Sequence, residues 1–510
     1  MQFQKVDPLY GGSLQSAGSS IDGLARSCHK PKLLHAKGEG HNLKRDLVIM
    51  GGGLAGLSAA VRARQLGLSV AVIDQGSGDR YLCNSRYSGG ILHLAFRDVA
   101  DDPASLRAAM NEATSGFIDP SLATLLSENA LRSVHWLRDQ GVRFIRNPQV
   151  VWQRWVLAPP RAITGGLDWE GRGPDLALRT LLAKFRELGG ELALETRVEH
   201  ALVHEGRCAG VRAYQAGREL VYESGAVLVA DGGFQANPDL MKAHVSPQPA
   251  GVLQRNSGMS RGDGLRLAAA LGAATVGMEA FYGHLLVQEA FSNPKLWPYP
   301  QVDEIACAGV VVDPHGKRIA DEGLGGVYLA NQIAHRDNPL DCHVIFDSAI
   351  WDVQGRQSRI PANPHLLRGG ATLVEAPTLA ALAARIGVNA SALEQTVAAH
   401  NQAVANGTGA NLEPRRSANK HAPAPIAKAP FHAFPICAGI THTAGGLRID
   451  DQTRVLNAQG GVVAGLHAAG AAVGGIEGGP QAGYVGGLMK ALVLGVVAAE
   501  QVANQIKQGD

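Results

Sequence analysis

The stretch that most constrains the fold is residues 46–76, DLVIMGGGLAGLSAAVRARQLGLSVAVIDQG. Leu47 to Met50 is a short apolar run, suited to a buried parallel strand. Gly51-Gly52-Gly53-Leu54-Ala55-Gly56 places G-x-G-x-x-G at its end. Gly51 permits the tight turn, Gly53 admits a pyrophosphate to the backbone, and Gly56 lets the next helix pack close to the strand. That helix aims unpaired N–H groups and the positive end of its dipole at the phosphates. Leu68 to Ile73 supply a second strand. Asp74 ends it, where a carboxylate can accept hydrogen bonds from both hydroxyls of an adenosine ribose. Strand, glycine turn, helix, strand and acid in this order specify a dinucleotide site in an α/β unit.

A chain of 510 residues is too long for one core, so two or more structural units are expected. Its 63 glycines exceed the usual share of about 7% and cluster at the ends of apolar runs, as a long cofactor held against backbone requires. A net charge of +2 without blocks of like charge gives no field for nucleic acid, and no nucleic-acid partner is expected. The six cysteines are scattered with no CxxC, so neither a disulfide framework nor a metal or iron–sulfur site is expected, and reduced thiols in a cytoplasm are. No apolar run reaches the ~20 residues of a transmembrane helix. Leu488 to Ala499 comes nearest, but it contains Lys490 and reads as a buried helix. Residues 1–44 are polar, lack apolar periodicity and read as a flexible extension.

Along the chain, Asn84-Ser85-Arg86-Tyr87-Ser88-Gly89-Gly90 is a small-residue loop against which a flat polar ring could lie. Asp119 to Gln140 and Asp175 to Leu188 have helical periodicity. Ala226 to Ala230 is a buried strand ending in Asp231-Gly232-Gly233-Phe234, a second strand-then-glycine turn, and Gly262-Asp263-Gly264 opens another helix. From about Phe281 to Pro430 short strand-like runs mix with alanine-rich helices and no nucleotide signature appears, the pattern of an inserted domain. Strands and glycine turns then return. The loop Gly474 to Gly487 feeds a helix near Leu488, where a helix N-terminus can hold the electron-rich end of a flavin.

Taken together, the dinucleotide unit, NSRYSGG, ADGGF, GDG, GKR-x-x-x-E (Gly316 to Glu322), HTAGG (His442 to Gly446) and the GLHAAG turn resemble the flavoprotein family of fumarate reductases and succinate dehydrogenases. The resemblance runs from about Asp46 to Ala499, and NSRYSGG and Asp321-Glu322-Gly323 look most like its tricarballylate dehydrogenase branch. It implies an α/β fold: a Rossmann-like FAD-binding domain (45–280 and 431–510) with an inserted α+β substrate-capping domain (281–430). FAD would touch Gly51, Gly53, Leu54, Ala55 and Gly56 in the turn, Asp74 and Gln75 after the second strand, and Asn84, Ser85, Ser88, Gly89 and Gly90 in the loop. Further contacts are implied at Val198, Asp231, Gly232 and Asp263, and at Gly470, Gly487 and Leu488. Members joined covalently to FAD carry a histidine before the serine-glycine loop; Asn84-Ser85 has none adjacent, so non-covalent FAD is expected.

Departures from the family pattern narrow the chemistry. The cap-domain arginine that delivers a proton in fumarate reductases corresponds to Gly326, and the arginine that clamps the substrate carboxylate corresponds to Tyr484. A doubly charged dicarboxylate in a low-dielectric pocket needs such cations, so fumarate reduction is disfavoured. The Ala-Gly-Glu that touches the ribityl chain is Ala469-Gly470-Ala471 here. His442 matches the family histidine that binds a substrate oxygen, His284 fits the cap-domain histidine, and Tyr484 sits where ketosteroid dehydrogenases place a carbonyl-binding tyrosine. Tyr282 and Tyr328 are candidates for the base; Arg255, Arg261 or Arg336 could pair with a substrate carboxylate, although each reads first as a surface charge. The expected activity is FAD-dependent dehydrogenation of a CH–CH bond beside a carbonyl or carboxylate of a small molecule, with electrons passing to a separate protein, quinone or oxygen. The alternatives are an ene-reductase running the other way and a flavin-binding protein without turnover.

Overall fold

The structure, a computed structural model, describes residues 41–508. The expected N-terminal extension lies outside the described residues, apart from 41–44, which form the first rungs of a strand. In chain order the elements that build the site are β1 (His41–Met50), α1 (Leu54–Gln65), β2 (Val70–Ile73), α2 (Pro120–Asp139), β3 (Glu191–Ala193) and β4 (Arg218–Val229). They continue as β5 (Phe281–Val287), β6 (His343–Asp347), β7 (Phe431–Thr443), β8 (Val462–Ala468) and α3 (Gly487–Gln508).

The first sheet runs β8–β4–β1–β2–β3, all parallel. An antiparallel hairpin (Thr196–His204 with Arg207–Gln215) and Arg454–Leu456 complete its eight strands. Leu47, Val48 and Ile49 are fully buried because helices or chain cover both faces, which is why this strand reads as a continuous apolar run. Met50 is in register with Val229, and Val229 with Ala468. Three neighbouring strands therefore end together, and Gly51, Asp231 and Gly470 emerge side by side where α/β sheets bind ligands.

Gly51 has φ +95°, and a Cβ there would stand 2.6 Å from the Ala230 carbonyl oxygen. Only glycine fits that turn. Gly56 does not face the open side: its Cβ would lie 1.9 Å from the Gly51 carbonyl oxygen, the close helix–strand approach its place in the motif requires.

α3 is long and apolar enough to cross a membrane by length and composition. It packs instead against α1 and α2, with a Cβ at Gly495 only 2.3 Å from the Ala55 carbonyl oxygen. Lys490, fully buried in its first turns, donates to Glu477 at 2.7 Å.

The second sheet is built on β7. Its first half pairs antiparallel with β6 and its second half with β5. Tyr282 pairs with His442 but Gly283 with Ile440, so Thr441 is the extra residue of a β-bulge. The bulge turns both Thr441 and His442 toward the same cleft. Thr443 then accepts from the Phe234 N–H at 3.2 Å, joining β7 to the turn after β4. The division into an FAD-binding domain and a cap at 280/281 and 430/431 is retained as a proposal. β7, placed with the first, pairs along its length with strands of the second.

Candidate active site

A continuous cleft runs from the end of β2, past the glycine turn, to the first residues of α3. Of the residues expected to touch FAD, every one except Gly56 lines it. At Gly53 a Cβ would meet nothing nearer than the Ser85 Oγ at 3.5 Å, and at Gly89 nothing within 4 Å, so both leave backbone open to a ligand. The Ser85 Oγ accepts from the Leu54 N–H at 3.1 Å and caps α1, whose own N-cap, Gly53, has no side chain to do so. The Asn84 amide donates to the Thr441 carbonyl and its oxygen accepts from the Ser257 N–H and hydroxyl, at 2.9–3.0 Å. Arg86, fully buried in the same loop, pairs with Asp175 and donates to the Tyr81 carbonyl at 2.8 Å. The loop is thus pinned from three sides.

The acids of this half divide by role. Asp74 takes the Gly52 N–H on one oxygen and the Gly76 N–H on the other, both at 2.7 Å, and burial raises its carboxyl against those bonds. Each oxygen keeps a lone pair for a ribose hydroxyl. Asp263 is committed to Arg197 through two bonds of 2.9 and 3.0 Å, so it lines the cleft as one partner of an ion pair. Asp231 accepts from the Gly264 N–H at 2.8 Å, but its other oxygen is buried with no partner. Burial, with Asp263 nearby, raises Asp231 to about 7. An orphaned acceptor, two open glycines and a capped helix N-terminus along one cleft fit an extended hydroxyl- and phosphate-bearing cofactor.

At the far end stand three rings. Tyr282 and Tyr484 stack with centroids 3.8 Å apart, and His442 lies 5.4 Å from Tyr282. All three line the cleft. The His442 Nε2 is 3.2 Å from the Glu477 carboxylate, which also takes the Lys490 ammonium and the N–H groups of Val485 and Gly486. Burial pushes Glu477 up, but Lys490 and His442 outweigh it and hold the carboxyl well below its usual range. The Tyr484 oxygen accepts from the Gly487 N–H at 3.1 Å, so this tyrosine both caps α3 and keeps its O–H free for the cleft. Burial and the neighbouring phenol and carboxylate raise Tyr484 well above the ordinary value.

The chain matches the family described as "FAD binding domain" over residues 46–484. It belongs to that family. FAD is its cofactor. Among curated relatives, NADH:acrylate oxidoreductase of Vibrio harveyi is 29% identical over 68% of this chain and 33% of its own length. NADH:fumarate oxidoreductase of Klebsiella pneumoniae is 26% identical over 92% of this chain and 49% of its own length. The chain thus spans a third to a half of those two proteins. 4-Oxocyclohexanecarboxylate 2-dehydrogenase of Sinomonas cyclohexanicum is 26% identical over 90% of this chain and 93% of its own length. The solved 3-ketosteroid-Δ4-(5α)-dehydrogenase of Rhodococcus jostii shares the fold, with a TM-score of 0.69 at 21% identity over 91% of this chain and 98% of that one.

Within this FAD-binding protein two expected catalytic positions move. His284 does not line the cleft. It shares a face of β5 with Tyr282 and sits behind it, with Nε2 3.0 Å from the Tyr282 oxygen and Nδ1 2.5 Å from Asp303. Tyr328 belongs to a helix (Gly326–Ala334) that turns it into a separate hollow with Phe117 and Glu279. It therefore cannot serve as base in the main cleft. At Gly326 a Cβ would collide with the Asp303 Cγ at 2.1 Å: the place of the family's proton-delivering arginine is taken by a carboxylate turned to His284. Arg255 is not a surface charge either, being 8% exposed and part of the cleft wall, whereas Arg261 is exposed and Arg336 pairs with Asp341. Sequence reasoning missed Glu477, Arg161, Tyr299 and Asp303. The signal for the first was Lys490, a cation inside an apolar helix that has to find a buried acid.

Proposed function

We propose that this protein is an FAD-dependent dehydrogenase that forms a C=C bond beside the carbonyl of a small molecule. The observation that carries this reading is the clustering of Tyr282, backed by His284 and Asp303, with His442 and Tyr484 at one end of the cleft. FAD, when bound, supplies the acceptor for the two electrons of the departing hydride. The Tyr484 O–H donates to the substrate carbonyl oxygen. His442, held through Nε2 by Glu477, stands beside that oxygen and orients it. The adjacent C–H is thereby acidified.

Burial raises Tyr282 far above the ordinary phenol value and lowers His284 below the ordinary imidazole value, so the resting pair is a neutral phenol donating to a neutral Nε2. As Tyr282 takes the substrate proton on its oxygen, its own proton passes to His284. Asp303 offsets the charge formed there. The relay needs no tyrosinate at rest.

Positions Gly326 and Tyr484, without the fumarate-type arginines, support a substrate less charged than fumarate. The relative that acts on 4-oxocyclohexanecarboxylate, matched over almost its whole length, supports a ketone. The same groups serve the reverse direction, and the relatives named as NADH oxidoreductases of acrylate and fumarate favour that second reading. Non-covalent FAD, a separate electron acceptor and a cytoplasmic setting belong to the same proposal. The described cysteines are all free thiols, as in a reducing compartment. The test is anaerobic mixing of the FAD-loaded protein with saturated ring ketones. Flavin bleaching that slows about 100-fold or more in Tyr282→Phe is expected. Unchanged bleaching in that variant removes the relay.

A further inference from the structure

The wall of the cleft beside His442 carries two cations that the dehydrogenation scheme does not use. Arg255 and Arg161 are 8% and 6% exposed, and both line the cleft. Arg255 donates to the Pro298 carbonyl at 3.0 Å and to the Thr441 hydroxyl at 2.7 Å, one residue from His442 along β7. Arg161 donates to the Tyr87 carbonyl at 3.3 Å and reaches the Gly166 carbonyl at 3.5 Å, and its Nε is buried with no partner. Among the described residues neither guanidinium has a carboxylate within ion-pair distance. Asp168, the acid acting on Arg161, is already paired with Arg172. Both guanidinium carbons lie over the Tyr299 ring, at 4.7 and 5.0 Å from its centroid.

Two buried cations without an anion are costly to fold around, because removing a charge from water needs a compensating partner. Each brings a planar fork of N–H donors, the geometry that a carboxylate accepts bidentately. The field is real enough to act on the phenol between them: burial pushes Tyr299 up, but Arg255 and then Arg161 draw it below its ordinary value. Tyr87 and Trp297 line the cleft there too and meet edge to face, with Tyr87 also against Trp169, which gives flat walls for a ring.

We propose that Arg161 and Arg255 form a carboxylate subsite, so that the substrate is a cyclic oxo acid with its ketone at His442 and Tyr484 and its carboxylate on the two guanidiniums. The proposal rests on the dehydrogenase reading for the ketone end. The subsite itself is a statement about binding and is tested apart from turnover. It also accounts for the absence of the fumarate-type arginines: the anion is held on a different wall.

The experiment titrates the full FAD-loaded chain anaerobically with 4-oxocyclohexanecarboxylate and with its methyl ester, following perturbation of the oxidised flavin spectrum and reading any bleaching separately. The acid should bind about 10- to 100-fold tighter than the ester. Arg255→Gln and Arg161→Gln should each cut that preference to within a few-fold while ester binding holds. Should a glutamine variant fail to retain FAD at 1:1, Arg161→Lys and Arg255→Lys keep the charge and lose the fork, and an intermediate preference is expected. Equal binding of acid and ester by the unaltered protein overturns the proposal. So does a loss of FAD affinity in these variants with acid preference intact, which would assign the cations to the cofactor. Preferential acid binding without flavin reduction leaves the subsite standing and overturns the dehydrogenase reading instead.

Discussion

Lys490 ties an apolar core helix to the candidate site through Glu477, which holds His442. Its sequence neighbours say only that the helix is buried; nothing in the spacing links it to Glu477, thirteen residues back across a glycine loop. Lys490→Met should leave Glu477 buried with only His442 and two N–H groups, at a cost of about 3–5 kcal/mol in chemical denaturation. A cost near zero would mean the pair is not formed. Because the folded-state pKa of Glu477 is depressed, its contribution to stability is present above the unfolded value near 4.3 and is lost as pH falls below it. Glu477→Gln should flatten the stability–pH curve in that acid window. His284 gives a kinetic counterpart. Burial holds it below the ordinary value of about 6.5, and it must be neutral to accept the Tyr282 proton. Turnover should therefore hold as pH falls through 6.5 and drop only below it, a limb that His284→Asn abolishes together with most of the rate. An acid limb above pH 7 in the unaltered enzyme would remove His284 from the relay.

At the level of elements, the crossing of α1 and α3 sets where the two halves of the cofactor site stand. Gly495 lets α3 lie against the Ala55 carbonyl, and Ala55 and Gly487, on these two helices, both line the cleft. Gly495→Val should cost about 1–3 kcal/mol by overpacking and weaken FAD retention on a desalting column, although residue 495 itself does not line the cleft. FAD affinity unchanged in that variant would mean the helices yield without moving the turn. The glycine turn, α1 and β2 were legible because each carries its own local rule: a G-x-G-x-x-G spacing, a 3.6 period, a short apolar run. The helix expected at 119–140 forms as α2, with Asp119 as its N-cap, for the same reason. Tyr328 and His284 were misplaced because helix rotation and strand facing near a bulge are decided by tertiary packing that no local pattern carries.

For the whole molecule, the parallel sheet supplies the cofactor floor and β7 delivers chemistry to it from the second sheet. Thr441 and His442 reach the cleft together only because the bulge breaks the alternation of β7. The FAD half of the site was readable from sequence because backbone contacts leave glycine signatures, and the cleft is lined by all but one of the residues expected there. The substrate half was legible in part: His442, Tyr484, Tyr282 and Arg255 were named from sequence and line the cleft, whereas Arg161 and Tyr299 come from separate loops with no shared spacing. Anaerobic flavin reduction decides whether a ketone-adjacent CH–CH bond is the one oxidised. The FAD-loaded protein should bleach with 4-oxocyclohexanecarboxylate or a related saturated ring ketone, and fumarate should reoxidise it far more slowly than the matching enone does. Rapid reoxidation by fumarate, with no bleaching by any saturated ketone, would contradict the account.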